Sequence, residues 1–276
     1  MQAPTAAPHI DVVLEGFGIN TSAGLVAMCE VILIEGAGAD GRPVRILVDP
    51  AHVGRRTLLL DALASRGLAP GDIDMVVLTH AHWDHVQNID VFAHAPVYLH
   101  PDELRYCEHP HPNDWATPVW TRDILERMQV REIAEGDELI PAVGVVDLAG
   151  HSAGSIGITV RNEQGLSLIT GDALHYASVA LTRRSPLVFW DADAALASID
   201  RAVGLADIVY PGHDQAFRLT AEREIEYLRP FNLTITGTLP DRPGLSFHPK
   251  TRDPWVMPGI EDQPRSRRAG VGDDGQ

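Results

Sequence analysis

The chain has 276 residues, 45% of them hydrophobic, which allows one large domain or two small ones around a sizeable core, and it carries no 18-residue apolar run of the kind a membrane-spanning helix needs. Its 38 acidic residues against 22 basic ones leave a formal charge of −16, a field that repels phosphate backbones and argues against a nucleic-acid partner. Only two cysteines occur, Cys29 and Cys107, outside any C-x-x-C pattern, which disfavours a thiolate zinc site and a disulfide framework alike.

The opening MQAPTAAPHI lacks the basic start and apolar middle of a secretory signal, so the protein is read as cytoplasmic, with residues 1–9 flexible. Residues 10–14, 26–34 and 44–48 are β-branched and bounded by Gly, Asp or Pro, and predict strands, with GAGADGRP at 36–43 as a turn. Leucines and alanines at helical spacing predict a helix over 55–66, stopped by Gly67. Short apolar runs at 75–79 and 96–100 predict strands. Residues 105–118, with three prolines, read as an irregular excursion, and a helix follows at 119–129. Strands are expected at 143–148, 156–160, 166–170 and 207–210, an irregular segment at 175–190, and helices at 191–205 and 220–229. After Pro249 the chain is Pro, Gly and charge. One layered domain over 10–249 is therefore expected, with 250–276 a flexible or strap-like tail.

The chemistry concentrates in THAHWDHVQN, which follows the 75–79 strand. Alternate residues of an extended segment point the same way, so His80 and His82 can share one metal ion, while Asp84 and His85 start a helical turn and can face another. Further metal-type ligands follow three later strands, each beside glycine or small residues: His151 in DLAGHSAGSIG, Asp172 in LITGDALHY and His213 in IVYPGHDQ. Imidazole and carboxylate donors suit a borderline divalent cation, zinc foremost, with iron, manganese and cobalt also compatible. His109 and His111 in EHPHP have ligand spacing, but the prolines and the lack of carboxylates beside them favour a surface loop.

HAHWDH, GHSAGS, TGDAL and PGHD, in this order between about residues 10 and 230, resemble the metallo-β-lactamase fold superfamily. The resemblance implies an α+β fold, an αββα sandwich of two mixed sheets flanked by helices, with a dinuclear site between the sheet edges. It implies that His80, His82 and His151 hold one metal, that Asp84, His85 and His213 hold the other, and that Asp172 bridges them. Asp49 in ILVDPAHVG is similar to the family's strand-end aspartate, which supports the ligand loop, although Pro50-Ala51 stands where Thr-Gly is usual.

Two such cations can share a hydroxide that attacks an electrophilic carbon or phosphorus, with Asp84 placed to shuttle its proton. The substrate class is weighed from the remaining residues. The most familiar zinc β-lactamases use cysteine where this chain has Asp172, which argues against antibiotics. The charge is awkward for a nuclease or phosphodiesterase. Thioesterases fit PGHD but lack a matching basic C-terminal clamp here. The chain best resembles quorum-quenching lactonases and their organophosphate-hydrolase relatives, whose GD motif is often followed by a His or Tyr that reaches the substrate carbonyl. His175 and Tyr176 stand there in this sequence, and the resemblance implies a lactone substrate and a hydrogen bond that strengthens as charge develops. Trp83, Trp115, Trp120, Phe189 and Trp190 are the expected pocket walls for this small-molecule substrate. No membrane contact is expected, and a homo-oligomer remains compatible with the sequence.

Overall fold

A computed structural model describes residues 7–234 and 254–262. In chain order its first half contains β1 (His9–Leu14), β2 (Phe17–Thr21), β3 (Gly24–Met28), β4 (Val31–Ala37), β5 (Pro43–Val48), α1 (Arg56–Ser65), β6 (Met75–Val77), α2 (Trp83–Val86), β7 (Pro96–Leu99), α3 (Pro101–Glu108), α4 (Trp120–Leu125) and β8 (Gln129–Glu132). Its second half contains β9 (Glu138–Ile140), β10 (Val143–Asp147), β11 (Ile156–Asn162), β12 (Gly165–Gly171), α5 (Ala177–Thr182), β13 (Leu187–Val188), α6 (Ala192–Leu205), β14 (Ile208–Pro211), β15 (Phe217–Leu219), β16 (Ile225–Tyr227) and β17 (Trp255–Val256).

Two mixed sheets face one another. One has the order β1-β4-β5-β6-β7-β8 and the other β16-β15-β14-β12-β11-β10-β9. Ile32, Ile34 and Ile46 from the first sheet pack against Val143, Ile158 and Ile169 from the second, so the core between the sheets is built of β-branched side chains. The strands that carry this core are apolar on both faces, because helices cover the outer ones. Leu33, Leu47 and Val76 meet Leu59 and Leu63 of α1, while Leu168 and Val209 meet Ile199 and Ala202 of α6. The result is the αββα sandwich of the metallo-beta-lactamase fold.

Local sequence explains the helices. In α6, Asp191 accepts a hydrogen bond from the Ala194 amide at 2.9 Å, and Ala195, Ser198, Ile199 and Ala202 form the buried face at helical spacing. Past α1, Gly67 takes a φ of 74°, a left-handed turn that suits glycine and ends the helix. No helix among the described residues is long and apolar enough to cross a membrane. Cys29 and Cys107 are both buried free thiols.

Several expectations are corrected. The strand foreseen at 26–34 breaks at Cys29-Glu30: β3 turns back on β2 as a separate hairpin, whereas β4 joins the first sheet. An apolar run does not record a change of pairing partner. The helix foreseen at 220–229 is instead a turn and a strand, since β16 pairs antiparallel with β15 and this pairing overrides helical propensity. Residues 105–118 begin inside α3, the helix at 119–129 is confined to Trp120–Leu125, and the 175–190 segment contains α5. His9 already belongs to β1, while residues 1–6 lie outside the described residues. Of the 250–276 tail, the described part, 254–262, runs β17 parallel to β13 and buries Met257.

Candidate metal centre

Every residue of the candidate centre leaves the end of a strand or the turn just beyond it. Asp49 closes β5, and His80, His82, Asp84 and His85 follow β6 into α2. His151 follows β10, Asp172 opens a 3-10 turn after β12, and His213 follows β14. The two sheets are tied together at this end by backbone bonds from the Ile156 amide to the Thr79 carbonyl (2.9 Å) and from the Glu30 amide to the Gly212 carbonyl (2.7 Å). Gly212 is required for steric reasons, because a Cβ there would collide with Oδ1 of Asp172.

The structure brings all seven expected ligands together. His80, His82 and His151 form one group, Asp84, His85 and His213 a second, and His80, His85 and Asp172 a third, the ligand atoms of each lying within 4.8 Å of one another. Asp172 sits between the groups: its Oδ1 is 3.3 Å from Nε2 of both His85 and His213, and its Oδ2 is 3.4 Å from Nε2 of His151. The sequence reading did not place His175 among these groups, yet its Nε2 lies 2.9 Å from Oδ2 of Asp172, and it forms a fourth group with Asp172 and His151.

The residues fit a divalent cation. Nε2 of His80 and His85 and Oδ1 of Asp172 are buried with no hydrogen-bond partner among the described residues, while the outer ring atoms are held. Asp49 Oδ2, which as a carboxylate only accepts, takes the Thr79 hydroxyl proton at 2.7 Å. The same hydroxyl oxygen is therefore left to accept from Nδ1–H of His80 at 3.0 Å. Asp49 also accepts from Nδ1–H of His85 at 2.8 Å and from the Thr79 amide at 2.8 Å, and the Leu187 carbonyl accepts from Nδ1–H of His151 at 2.9 Å. These outer bonds fix the tautomers and turn the Nε2 lone pairs inward. Burial holds His80 and His151 well below the usual histidine pKa and pushes His82 down to about 3, keeping them neutral as ligation requires. For Asp172, burial works against its charge, but His175, His213 and His85 outweigh it and hold the carboxyl ionised, well below the ordinary range.

A residue the sequence reading missed joins the two ligand loops. Glu103, fully buried on α3, accepts from the Ala81 amide (3.0 Å), the Gly154 amide (2.7 Å) and the Ser152 hydroxyl (2.8 Å). Ala81 stands between His80 and His82, and Ser152 follows His151. In sequence Glu103 is only an acid in the first turn of a helix, and no local signal marks it.

A cavity of about 570 Å³ opens on the cluster. Trp83, Trp115, Phe189, His175 and Tyr176 all line it. Trp120 and Trp190 do not, which corrects the expectation that they form its walls: Trp120 is 37% exposed on α4, and Trp190 packs on Tyr106 with ring centroids 5.7 Å apart. The walls include two pieces invisible as such in the sequence. One is the β2–β3 hairpin, which contributes Gly18, Leu25 and Ala27, and whose Gly18 lies so close to the Tyr176 hydroxyl that a Cβ would collide with it. The other is the segment entering β17: Pro254 lines the cavity, and behind the wall Trp255 packs tilted against Phe189 with ring centroids 5.0 Å apart, Phe189 in turn standing 4.8 Å from the ring of His82. His109 and His111 line no part of the cavity.

Residues 28–213 match the family model described as the metallo-beta-lactamase superfamily. The chain belongs to that superfamily. Among curated relatives, it is 29% identical over 219 residues to metallo-beta-lactamase domain-containing protein 1 of Xenopus laevis, covering 77% of this chain and 82% of that one. It is 28% identical over 188 residues to the N-acyl homoserine lactonase of Bacillus cereus, covering 66% of this chain and 70% of the relative. The crystal structure of a quorum-quenching N-acyl homoserine lactone hydrolase superposes with a TM-score of 0.60 at 19% identity, over 78% of this chain and 94% of that one, a likeness of fold. The crystal structure of a Thermotoga maritima protein superposes with a TM-score of 0.59, also at 19% identity, over 77% of this chain and 99% of that one. The protein is thus a metallohydrolase-type member of the superfamily whose histidine and aspartate groups are able to bind metal ions.

Proposed function

We propose that the protein is a dinuclear metal-dependent hydrolase of small ester-like substrates, with a lactone as the preferred class, working in the cytoplasm, a compartment its two unpaired, buried cysteines suit. The observation that carries this reading is the partly apolar cavity, walled by Trp83, Trp115 and Phe189, that opens directly on the cluster of Asp84, Asp172 and six histidines. The lactonase relative and the lactone-hydrolase fold neighbour support the same class.

In this reading His80, His82 and His151 hold one cation, Asp84, His85 and His213 the other, and Asp172 both; zinc suits the imidazole-rich set. Bound there, the pair would supply a water of near-neutral pKa and Lewis-acid stabilisation of the oxygen under attack. The Asp84 carboxylate, whose Oδ2 lies 3.4 Å from Nε2 of His213, takes up the proton released in the attack and passes it to the leaving oxygen. The Tyr176 hydroxyl and the His175 imidazole stand on the cavity side, where a donor strengthens as charge grows on the substrate carbonyl. Phe189, 1% exposed beside His82 and His151, keeps bulk water from that end.

The test is a panel of lactones, thioesters, phosphodiesters and β-lactams on zinc-loaded protein, with Asp84→Asn as the control. Lactone turnover at least tenfold above the other classes, lost by more than a hundredfold in the control, is the expected result. A phosphodiester turned over fastest would replace this reading with the nuclease one, and a thioester with the thioesterase one. Elemental analysis should find two metal ions per chain.

A further inference from the structure

Arg184 lies two residues past α5 on the lining of the same cavity, exposed to solvent, and makes no hydrogen bond or ion pair among the described residues. Its neighbour Arg183 is paired with Asp200. With the metal-binding cluster set aside, Arg184 is the one ionised side chain among the described residues that line the cavity. The approach to it is polar. Ser178 and Thr182 stand four residues apart on α5, hence on one face, and the Thr182 hydroxyl is already turned back onto the Ser178 carbonyl at 3.0 Å. Trp83, Trp115, Phe189 and Leu25 supply an apolar wall, interrupted by Asn20 and Tyr176.

That arrangement has a chemical consequence in a protein of charge −16. Its general field repels anions, so an anionic substrate needs a local cation whose charge is not already neutralised by a carboxylate. A guanidinium does this with direction, since its fork matches a carboxylate through paired N–H donors. We propose that Arg184 determines specificity, and that the site selects amphipathic esters or lactones whose apolar body ends in an anionic group held by Arg184. The proposal rests on the hydrolase reading above. It adds the charge and polarity pattern of the substrate, which the metal-binding residues themselves do not dictate.

The experiment uses the zinc-loaded full chain and two medium-chain δ-lactones identical but for a terminal carboxylate or carboxamide. The parent should favour the carboxylate, and the ratio of the two kcat/KM values should fall about tenfold in Arg184→Ala, as expected for loss of one charge-assisted contact, through KM rather than kcat. The ratio should fall further in Arg184→Glu, be kept only in part in Arg184→Lys, which retains the charge but not the fork, and shrink with added salt. Melting curves of the three variants establish that they fold. A parent that turns over both lactones without charge preference, or a ratio that is the same in Arg184→Ala, overturns the proposal and leaves the hydrolase reading standing. Turnover of neither lactone overturns both.

Discussion

Replacing Glu103 by alanine removes a carboxylate that is fully buried and accepts from two backbone amides and one hydroxyl on two different ligand loops. Bonds to a charged acceptor contribute about 1.5–3 kcal/mol each, and each buried donor left unpaired costs about 1–3 kcal/mol. The three are not additive, since water can enter the vacated space, and breaking a buried charged network by removing one member costs about 3–5 kcal/mol in all. Glu103→Ala should therefore lower the unfolding free energy of metal-free protein by about 3–5 kcal/mol, read by urea unfolding. Glu103→Gln keeps the shape but offers one acceptor oxygen and turns an NH2 toward N–H donors, so it should recover only part of the loss. Zinc affinity, measured against a competing chromophoric chelator, should fall about 10–100-fold, because the bonded amides and hydroxyl lie beside His80, His82 and His151. Leu59→Ala, in the α1 core remote from the ligand loops, separates the two effects. It should cost about 2–5 kcal/mol and leave zinc affinity where it was. If Glu103→Ala unfolded within about 0.5 kcal/mol of the parent, a level typical of neutral surface changes, or bound zinc as tightly as Leu59→Ala does, Glu103 would not be positioning the ligand loops.

Asp49→Asn tolerates the left-handed backbone at this position (φ 52°) but has one acceptor oxygen where the carboxylate uses two, so its NH2 must face either the Thr79 amide or the Thr79 hydroxyl and His85. Zinc affinity should drop about 10–100-fold, and a change under twofold would remove Asp49 from the ligand support. Glu30 is buried with both carboxyl oxygens lacking partners among the described residues, and burial, aided by Glu15 and Asp214, lifts its pKa well above the ordinary 4.5. A folded-state value above the unfolded one means the associated stability is complete below pH 4.5 and is lost as pH rises beyond it. Glu30→Gln should match the parent melting temperature near pH 4 and exceed it increasingly toward neutral pH; a difference that is flat with pH would contradict the burial argument. Removing metal with a chelator should lower the melting point, and zinc at a hundred times its dissociation constant should restore roughly 5–10 °C, a melting point indifferent to zinc being the contrary result.

Much of the centre was legible in the chain because its ligands are local. His80, His82, Asp84 and His85 lie within one turn-length segment, and each remaining ligand directly follows an apolar strand beside small residues. Their tautomers were not legible. Those depend on Asp49 and the Leu187 carbonyl, which approach from elsewhere in the fold, and on Asp49 turning the hydroxyl of neighbouring Thr79 toward His80. The errors share a cause. At 26–34 and 220–229 the local pattern was read correctly as apolar or amphipathic, yet the structure depends on which strand each segment pairs with.

By itself, the sequence determined the chemistry: a histidine- and aspartate-rich set at strand ends, suited to a divalent cation, together with the strand-rich core that supports it. Tertiary structure decided how that chemistry is enclosed and what it admits. Glu103 became a bridge between ligand loops, Pro254 and the β2–β3 hairpin became cavity wall, Trp120 and Trp190 were left outside, and Arg184 was brought to the lining. Ligand type and spacing are properties of short segments and survive in one dimension, whereas a wall is made by residues as distant in sequence as Gly18 and Pro254, whose meeting depends on how the two sheets and their edges pack.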